Sequence, residues 1–138
     1  IGVEQVGVYI VPRVGYYPDS MFAALTLLSH INEAAEIRTF FQRIPALFFD
    51  KGRVTCPNES KAALMTQVAQ KAPGFDAVSI SPLDGVRMEF GDSWMLIRAS
   101  GTEPVIRVLA ESPSAGTTRD LIDKGVRLVE SSLSGGVQ

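Results

Sequence analysis

The residues best suited to chemistry are residues 98–104, with the sequence Arg-Ala-Ser-Gly-Thr-Glu-Pro, and Arg107 just beyond them. They lie between two strand-like runs, 94–97 and 105–110. Such a loop offers two guanidinium groups, two hydroxyls and the N–H groups of a glycine-containing turn. A guanidinium can bind two phosphate oxygens at once, and successive N–H groups of a turn can surround a third. The pattern predicts a phosphate-ester site, although the same residues also fit an ordinary loop in which Gly101 makes the turn.

The sequence leaves two roles open for Arg107. A hairpin would bring its side chain back toward the loop, where it would contact a phosphate directly. Alternatively, Arg107 would form an ion pair with Glu103, which would then temper the positive charge while Arg98 faces the ligand. Both roles use the strong charge-assisted hydrogen bonds of a guanidinium group.

The segment resembles the C-terminal domain of the alpha-D-phosphohexomutases, the phosphoglucomutases, phosphomannomutases and phosphoglucosamine mutases. In that family the corresponding loop holds the substrate phosphate that is not reacting. The resemblance is clear over 41–133 and weaker before. Its motif is Arg98-x-Ser100-Gly101-Thr102-Glu103-Pro104-x-x-Arg107, preceded by Asp84-Gly85-Val86-Arg87 and followed by 108–111. It implies that Arg98, Ser100, Gly101, Thr102 and Arg107 bind phosphate, with Glu103 in support.

The resemblance also implies what this chain leaves to others. Phosphohexomutases transfer a phosphoryl group through a phosphoserine, with Mg²⁺ held by an aspartate-rich loop, and both elements belong to earlier domains. Neither motif occurs in this sequence. We therefore expect no catalytic residue and no metal ligand here, Mg²⁺ in the parent enzyme, and a hexose phosphate and the parent's other domains as partners. The isolated chain is expected to bind without turnover.

Residues 1–43 resemble the end of the third mutase domain, and residues 44–138 the C-terminal domain. Since the chain starts at Ile1 and enters at once into an apolar stretch, we expect it to be cut from a longer one. The family carries a Gly-Glu-x-Ser-Gly-His sugar loop near the segment 3–8, where this chain has Val-Glu-Gln-Val-Gly-Val. Val6 and Val8 cannot hydrogen-bond a sugar. Glu4 is either a sugar contact, as the family loop implies, or a solvated carboxylate.

These valines keep two alternatives open. A divergent, non-catalytic sugar-phosphate-binding module would retain the phosphate loop without mutase chemistry. A structural domain whose loop binds nothing is the other alternative. A serine-phosphate loop and an Asp-x-Asp-x-Asp metal loop upstream in the parent gene would favour the enzyme.

Composition limits the other function classes. The 138 residues are 46% hydrophobic and 20% charged, which is typical of a globular protein. A net charge of −2 argues against a general nucleic-acid binder. No run of about 18 apolar residues predicts a membrane span. Cys56 is the single cysteine, so no internal disulfide can form, and a reducing, cytoplasmic location is expected.

The periodicity predicts an α+β fold. Apolar and polar residues alternate over 86–90, which is typical of a half-buried strand, and two strand-like, mainly apolar runs, 94–97 and 105–111, follow after short turns. With a strand at 46–56 and helices over 58–71 and 116–133, the order is β-α-β-β-β-α. We predict a four-stranded, mainly antiparallel sheet with helices on one face, as in the TBP-like C-terminal mutase domain. Two further helices, at 19–31 and from 32 to 44, would precede it.

Overall fold

The computed structural model describes residues 2–4, 7–31 and 33–134. The chain divides into two compact units, Ile1–Pro45 and Ala46–Gln138. The assignment of the first unit to a preceding mutase domain stays a prediction. No helix within the described ranges is long and apolar enough to cross a lipid bilayer.

The first unit begins with a hairpin and continues with two helices. Strand β1 (Gly2–Glu4) pairs antiparallel with strand β2 (Val8–Ile10). Helix α1 spans Ser20–Ser29 and helix α2 spans Ala34–Gln42. The sequence offers Asp19 and Ser20 as caps of α1, and the structure uses Asp19, whose Oδ1 accepts a hydrogen bond from the Phe22 N–H at 2.8 Å.

The helices of the first unit do not bury the faces that their periodicity predicts. Neither α1 nor α2 contains a buried residue. Met21, Leu25 and Leu28, which share one face of α1, are 74%, 60% and 60% exposed. For α2, the start predicted at Asn32 falls outside the described residues, and Glu33 caps the helix through reciprocal bonds with Glu36.

The second unit confirms the α+β prediction, with five strands instead of four. The additional strand, β4, contains only three residues at the edge of the sheet and gives almost no periodic signal. Two 3₁₀ turns, Asn58–Ser60 and Ala72–Phe75, flank the first helix of this unit. The elements are β3 (Phe48–Thr55), α3 (Lys61–Lys71), β4 (Ser79–Ser81), β5 (Val86–Glu89), β6 (Trp94–Ala99), β7 (Val105–Ser112) and α4 (Ala115–Ser134).

All neighbouring strands of this sheet are antiparallel, in the order β3-β7-β6-β5-β4. Strand β3, the first in the unit, pairs along its whole length with β7, the last. The register places Arg98 of β6 opposite Arg107 of β7, and Arg107 opposite Arg53 of β3. Because side chains opposite one another share a face, these three arginines lie on one side of the sheet.

The other side of the sheet carries the core. Side chains of β5, β6 and β7 alternate between buried and half-buried positions, and the buried set packs against α3 and α4. The arginines therefore lie on the face that the helices leave uncovered. The fully buried residues include Met88, Met95, Ile97, Ile106 and Val108 from the sheet, Val68 from α3, Val129 from α4, and Cys56.

Gly125 is a point of close approach between α4 and the sheet. A Cβ added there would lie 2.5 Å from Val108 Cγ1 and 2.7 Å from Met95 Sδ. Alanine usually stabilises a helix by about 1 kcal/mol relative to glycine, but overpacking a core costs about 1–3 kcal/mol. We expect Gly125→Ala to lower the free energy of unfolding by about 1–2 kcal/mol in urea denaturation.

Gly116 in the first turn of α4 is the matched control. A Cβ there would meet only Ser114 Oγ, at an ordinary 3.7 Å. Gly116→Ala should therefore be neutral or stabilising. A Gly125→Ala protein as stable as Gly116→Ala would show that the sheet and helix are not in such close contact.

Candidate functional site

The loop between β6 and β7, residues 100–104, leaves two backbone donors available. The Ser100 N–H donates to the Val105 carbonyl at 3.0 Å, and the Glu103 N–H donates to Ser100 Oγ at 3.2 Å. The N–H groups of Gly101 and Thr102 donate to no acceptor in the described part of the chain. Since both residues are exposed, an external anion can accept hydrogen bonds from them.

Gly101 contributes space at this loop. Its φ lies outside the left-handed region, as do those of the other loop residues. A Cβ on Gly101 would meet no atom within 4 Å. The glycine is therefore not needed to relieve backbone strain, and the space beside it is open to solvent.

Arg98 is positioned by a turn that precedes β5. Its Nη1 donates to Asp84 Oδ2 at 2.6 Å. Gly85 has a φ of +103°, and a Cβ there would lie 2.4 Å from the Ile97 carbonyl oxygen and 2.8 Å from Arg98 Cβ. Only a glycine lets this turn lie against the backbone of β6. The pair Asp84-Gly85 thus places a carboxylate beside the guanidinium.

Arg107 forms the ion pair that was one of its two predicted roles. Its Nη2 donates to Glu103 Oε2 at 2.6 Å. This hydrogen bond, the Arg107 charge, and the weaker influence of Arg53 and Lys61 hold the pKa of Glu103 below its ordinary value, against a small opposing effect of desolvation. Direct contact between Arg107 and a phosphate stays a prediction.

Both ion pairs are open to exchange. The side chains of Arg98 and Arg107 are 38% and 39% exposed, and those of Asp84 and Glu103 are 70% and 50% exposed. Ion pairs in such positions contribute little net stability, because water and salt compete with them. A doubly charged phosphate can therefore compete for either guanidinium.

Lys61, the first residue of α3, fixes the position of the loop. Its Nζ donates to the carbonyls of Ser100 and Glu103, each at 2.6 Å. The helical periodicity of residues 58–71 favours a solvent-facing Lys61, and that interpretation of the sequence was wrong. The ammonium group adds a positive charge beside the loop. It binds carbonyl oxygens only, so the N–H groups of Gly101 and Thr102 stay available.

Arg53 is a further cation that sequence reasoning missed. It lies opposite Arg107 on the uncovered face, so that Arg53, Arg107 and Arg98 form one row across three strands. Arg53 forms no ion pair or side-chain hydrogen bond with a residue of the described ranges. Like charges placed opposite each other destabilise a sheet, which makes this row suited to an anion.

The family model described as phosphoglucomutase/phosphomannomutase, C-terminal domain, matches residues 52–128, more than half of the chain. The chain belongs to this family. Arg53, Lys61, Asp84 and the loop 100–104 all lie within the residues that match the phosphoglucomutase/phosphomannomutase domain. The predicted resemblance is thereby confirmed.

Two relatives of this phosphoglucomutase/phosphomannomutase chain carry the same functional name. A probable phosphoglucosamine mutase of Thermococcus kodakarensis is 34% identical over 134 residues, which are 96% of this chain and 30% of that protein. Another, of Methanococcoides burtonii, is 38% identical over 112 residues, 81% of this chain and 25% of that protein. The chain thus spans about three tenths or less of the length of these relatives.

A solved structure supports the same fold. The crystal structure of a phosphoglucomutase/phosphomannomutase family protein from Burkholderia thailandensis superposes with a TM-score of 0.66. The match covers 87% of this chain and 25% of that one, at 19% sequence identity. At this identity, the comparison establishes the architecture alone.

Two further predictions for this phosphoglucomutase/phosphomannomutase chain concern Glu4 and Mg²⁺. The backbone of Glu4 pairs with Val8 in the hairpin, but its side chain, like Val6, lies outside what the structure describes. Its sugar contact stays a prediction. The residues described include no group of three His, Cys, Asp or Glu side chains that could hold a metal ion. The Mg²⁺ predicted for the parent enzyme has no ligand set in that part of the chain.

Removal of the Lys61 ammonium should weaken any anion binding by the loop. In Lys61→Met, the carbonyls of Ser100 and Glu103 lose their donor and the loop loses one positive charge. We expect phosphate affinity to fall about three- to tenfold, the equivalent of one ordinary hydrogen bond, as measured by calorimetry. Lys124→Met removes an exposed charge from α4 and serves as the control. Equal affinities in the two variants would contradict this role.

Proposed function

We propose that this chain binds a phosphate group of a hexose phosphate through the loop 100–104. The observation that carries the proposal is the pair of exposed, unpaired N–H groups of Gly101 and Thr102 beside two arginines in exchangeable ion pairs. Backbone amides and guanidinium groups together satisfy the oxygens of a phosphate dianion. Family membership supports this reading of the loop.

A hydroxyl extends the site. Thr102 is exposed, and its hydroxyl can donate to a phosphate oxygen. Ser100 is only 4% exposed and its Oγ accepts a hydrogen bond from the Glu103 N–H, so it fixes the shape of the loop, and its own contact with a phosphate stays a prediction. With Arg98 on one side and Arg107 on the other, these donors would surround a phosphate from several directions.

We further propose that the parent protein is a phosphohexomutase, an isomerase that moves a phosphoryl group between the 1- and 6-positions of a hexose. In that enzyme the loop would hold the phosphate that is not transferred, and closure of this domain would bring the sugar to the reacting groups. Positioning of this kind requires no nucleophile in the loop. The phosphoserine and Mg²⁺ would be supplied by other domains.

The experiment that tests the binding proposal is an NMR titration of the 138-residue chain. Glucose 6-phosphate, mannose 1-phosphate and inorganic phosphate should each shift the amide signals of Gly101 and Thr102, whereas unphosphorylated glucose should not. The absence of shifts at both residues with every phosphate would refute the proposal. In the same preparation, measurable interconversion of hexose 1- and 6-phosphates would refute the assignment of catalysis to other domains.

A further inference from the structure

We propose that Arg53 is a second partner for Glu103, onto which the Glu103 carboxylate moves when Arg107 turns to a bound phosphate. Arg53 would thus be a positioning residue and would not touch the ligand. This inference rests on the proposed function for its biological meaning, but part of it can be tested without any ligand.

Glu103 binds one guanidinium group, and a second guanidinium group lies opposite that partner in the sheet. Glu103 binds Arg107, four residues further along the chain, and Arg107 lies directly opposite Arg53 in the β3–β7 register. Side chains in directly opposite positions have Cβ atoms about 4.5–5.5 Å apart, a distance that long side chains easily span. The Cys56 N–H donates to the Pro104 carbonyl at 2.9 Å and holds the end of β3 against the loop. A small rotation of the Glu103 side chain can therefore exchange one arginine for the other.

The balance of charge gives a reason for this exchange. If a phosphate took Arg107 away from Glu103, the Glu103 carboxylate would lie next to the phosphate without its cation. The two negative groups would then repel each other. Arg53 has no carboxylate of its own in the described part of the chain. If Glu103 moves to Arg53, both anions keep a cation and the repulsion is screened.

Three cations lower the pKa of Glu103: Arg107 most strongly, and Arg53 and Lys61 more weakly. The influence of Arg53 agrees with its register position opposite Arg107, the present partner of the carboxylate. Since Lys61 is bound to two carbonyls of the loop, it is not free to become the new partner.

The first test follows the carboxyl ¹³C signal of Glu103 through a pH titration of the full chain without ligand. Arg107→Ala imitates the state in which Arg107 has turned away. We expect the pKa of Glu103 to stay below its ordinary value in Arg107→Ala, and to shift upward when Arg53→Ala is added. The control replaces Arg53→Ala with Lys51→Ala, which removes a cation from the same face of β3. Equal pKa values in the Arg107→Ala protein with and without Arg53 would overturn the proposal.

The second test measures the affinity for inorganic phosphate by calorimetry. We expect Arg53→Ala to weaken binding about two- to fivefold, the effect of an exposed ion pair. Glu103→Gln has no carboxylate for Arg53 to receive. In that variant, adding Arg53→Ala should therefore not change the phosphate affinity. An equal loss in both backgrounds would mean that Arg53 touches phosphate, and no loss in either would mean that Glu103 does not need it; both results overturn the proposal. If wild type shows no phosphate response, the proposed function fails, while the ligand-free titration still decides whether Arg53 receives Glu103.

Discussion

Replacement of Arg98 by alanine should lower the affinity for glucose 6-phosphate by about ten- to a hundredfold, since each charge-assisted hydrogen bond contributes about 1.5–3 kcal/mol. The fold should survive, because the side chain lies on the uncovered face of the sheet and is 38% exposed. Calorimetry would give the affinity, and urea denaturation the stability. Arg98→Lys should recover part of the affinity, because it restores the charge without the two-pronged donor geometry.

Arg87→Ala is the matched control for Arg98→Ala. Arg87 lies on the same face, pairs with Glu89 at 2.6 Å and has its guanidinium carbon 4.2 Å from the centre of the Trp94 ring. The substitution Arg87→Ala removes the same charge as Arg98→Ala, but Arg87 does not contact the loop. Phosphate affinity should therefore change less than about twofold. If Arg98→Ala bound phosphate as well as Arg87→Ala, the loop would not be the phosphate site.

Gly85→Ala should have the largest effect on stability, a loss of about 2–4 kcal/mol in the free energy of unfolding. Two costs combine at this position. Its φ of +103° is unfavourable for alanine, and the added Cβ would lie 2.4 Å from the Ile97 carbonyl oxygen. Since the turn must then move away from β6, Asp84 should also lose its contact with Arg98. Urea denaturation measures the first effect and the phosphate affinity the second.

A substitution at Gly91 measures the conformational cost without the steric cost. It also has a positive φ, +83°, but a Cβ there would meet no atom within 4 Å. Gly91→Ala should therefore show only the conformational cost, about 1–2 kcal/mol. A Gly85→Ala protein no less stable than Gly91→Ala would show that the turn does not lie closely against β6.

The hairpin that carries the loop could be predicted from the sequence alone. The mainly apolar runs 94–97 and 105–111 identify both strands, with Arg98 and Arg107 near the ends that the loop joins. Two strands joined by a five-residue loop must also pair with each other, which brings the arginines together. Local sequence patterns therefore suffice where partners are close in sequence.

Partners that are distant in sequence could not be predicted in the same way. The pairing of β3 with β7 places Arg53 beside Arg107, but nothing in the residues around Arg53 specifies that register. Lys61 reaches the loop only because α3 begins beside it, and helical periodicity alone assigned its side chain to solvent. Strand β4 was missed because three residues, Ser-Ile-Ser, cannot show a period.

The attachment of the loop to Cys56 and Lys61 has a consequence for the thermodynamics of binding. A loop fixed by two separate segments has already lost much of its conformational entropy when the domain folds, so a ligand does not have to order it. The contacts it offers are polar and partly hydrated, and their formation removes little apolar surface from water. Association should therefore show favourable enthalpy and a heat-capacity change close to zero.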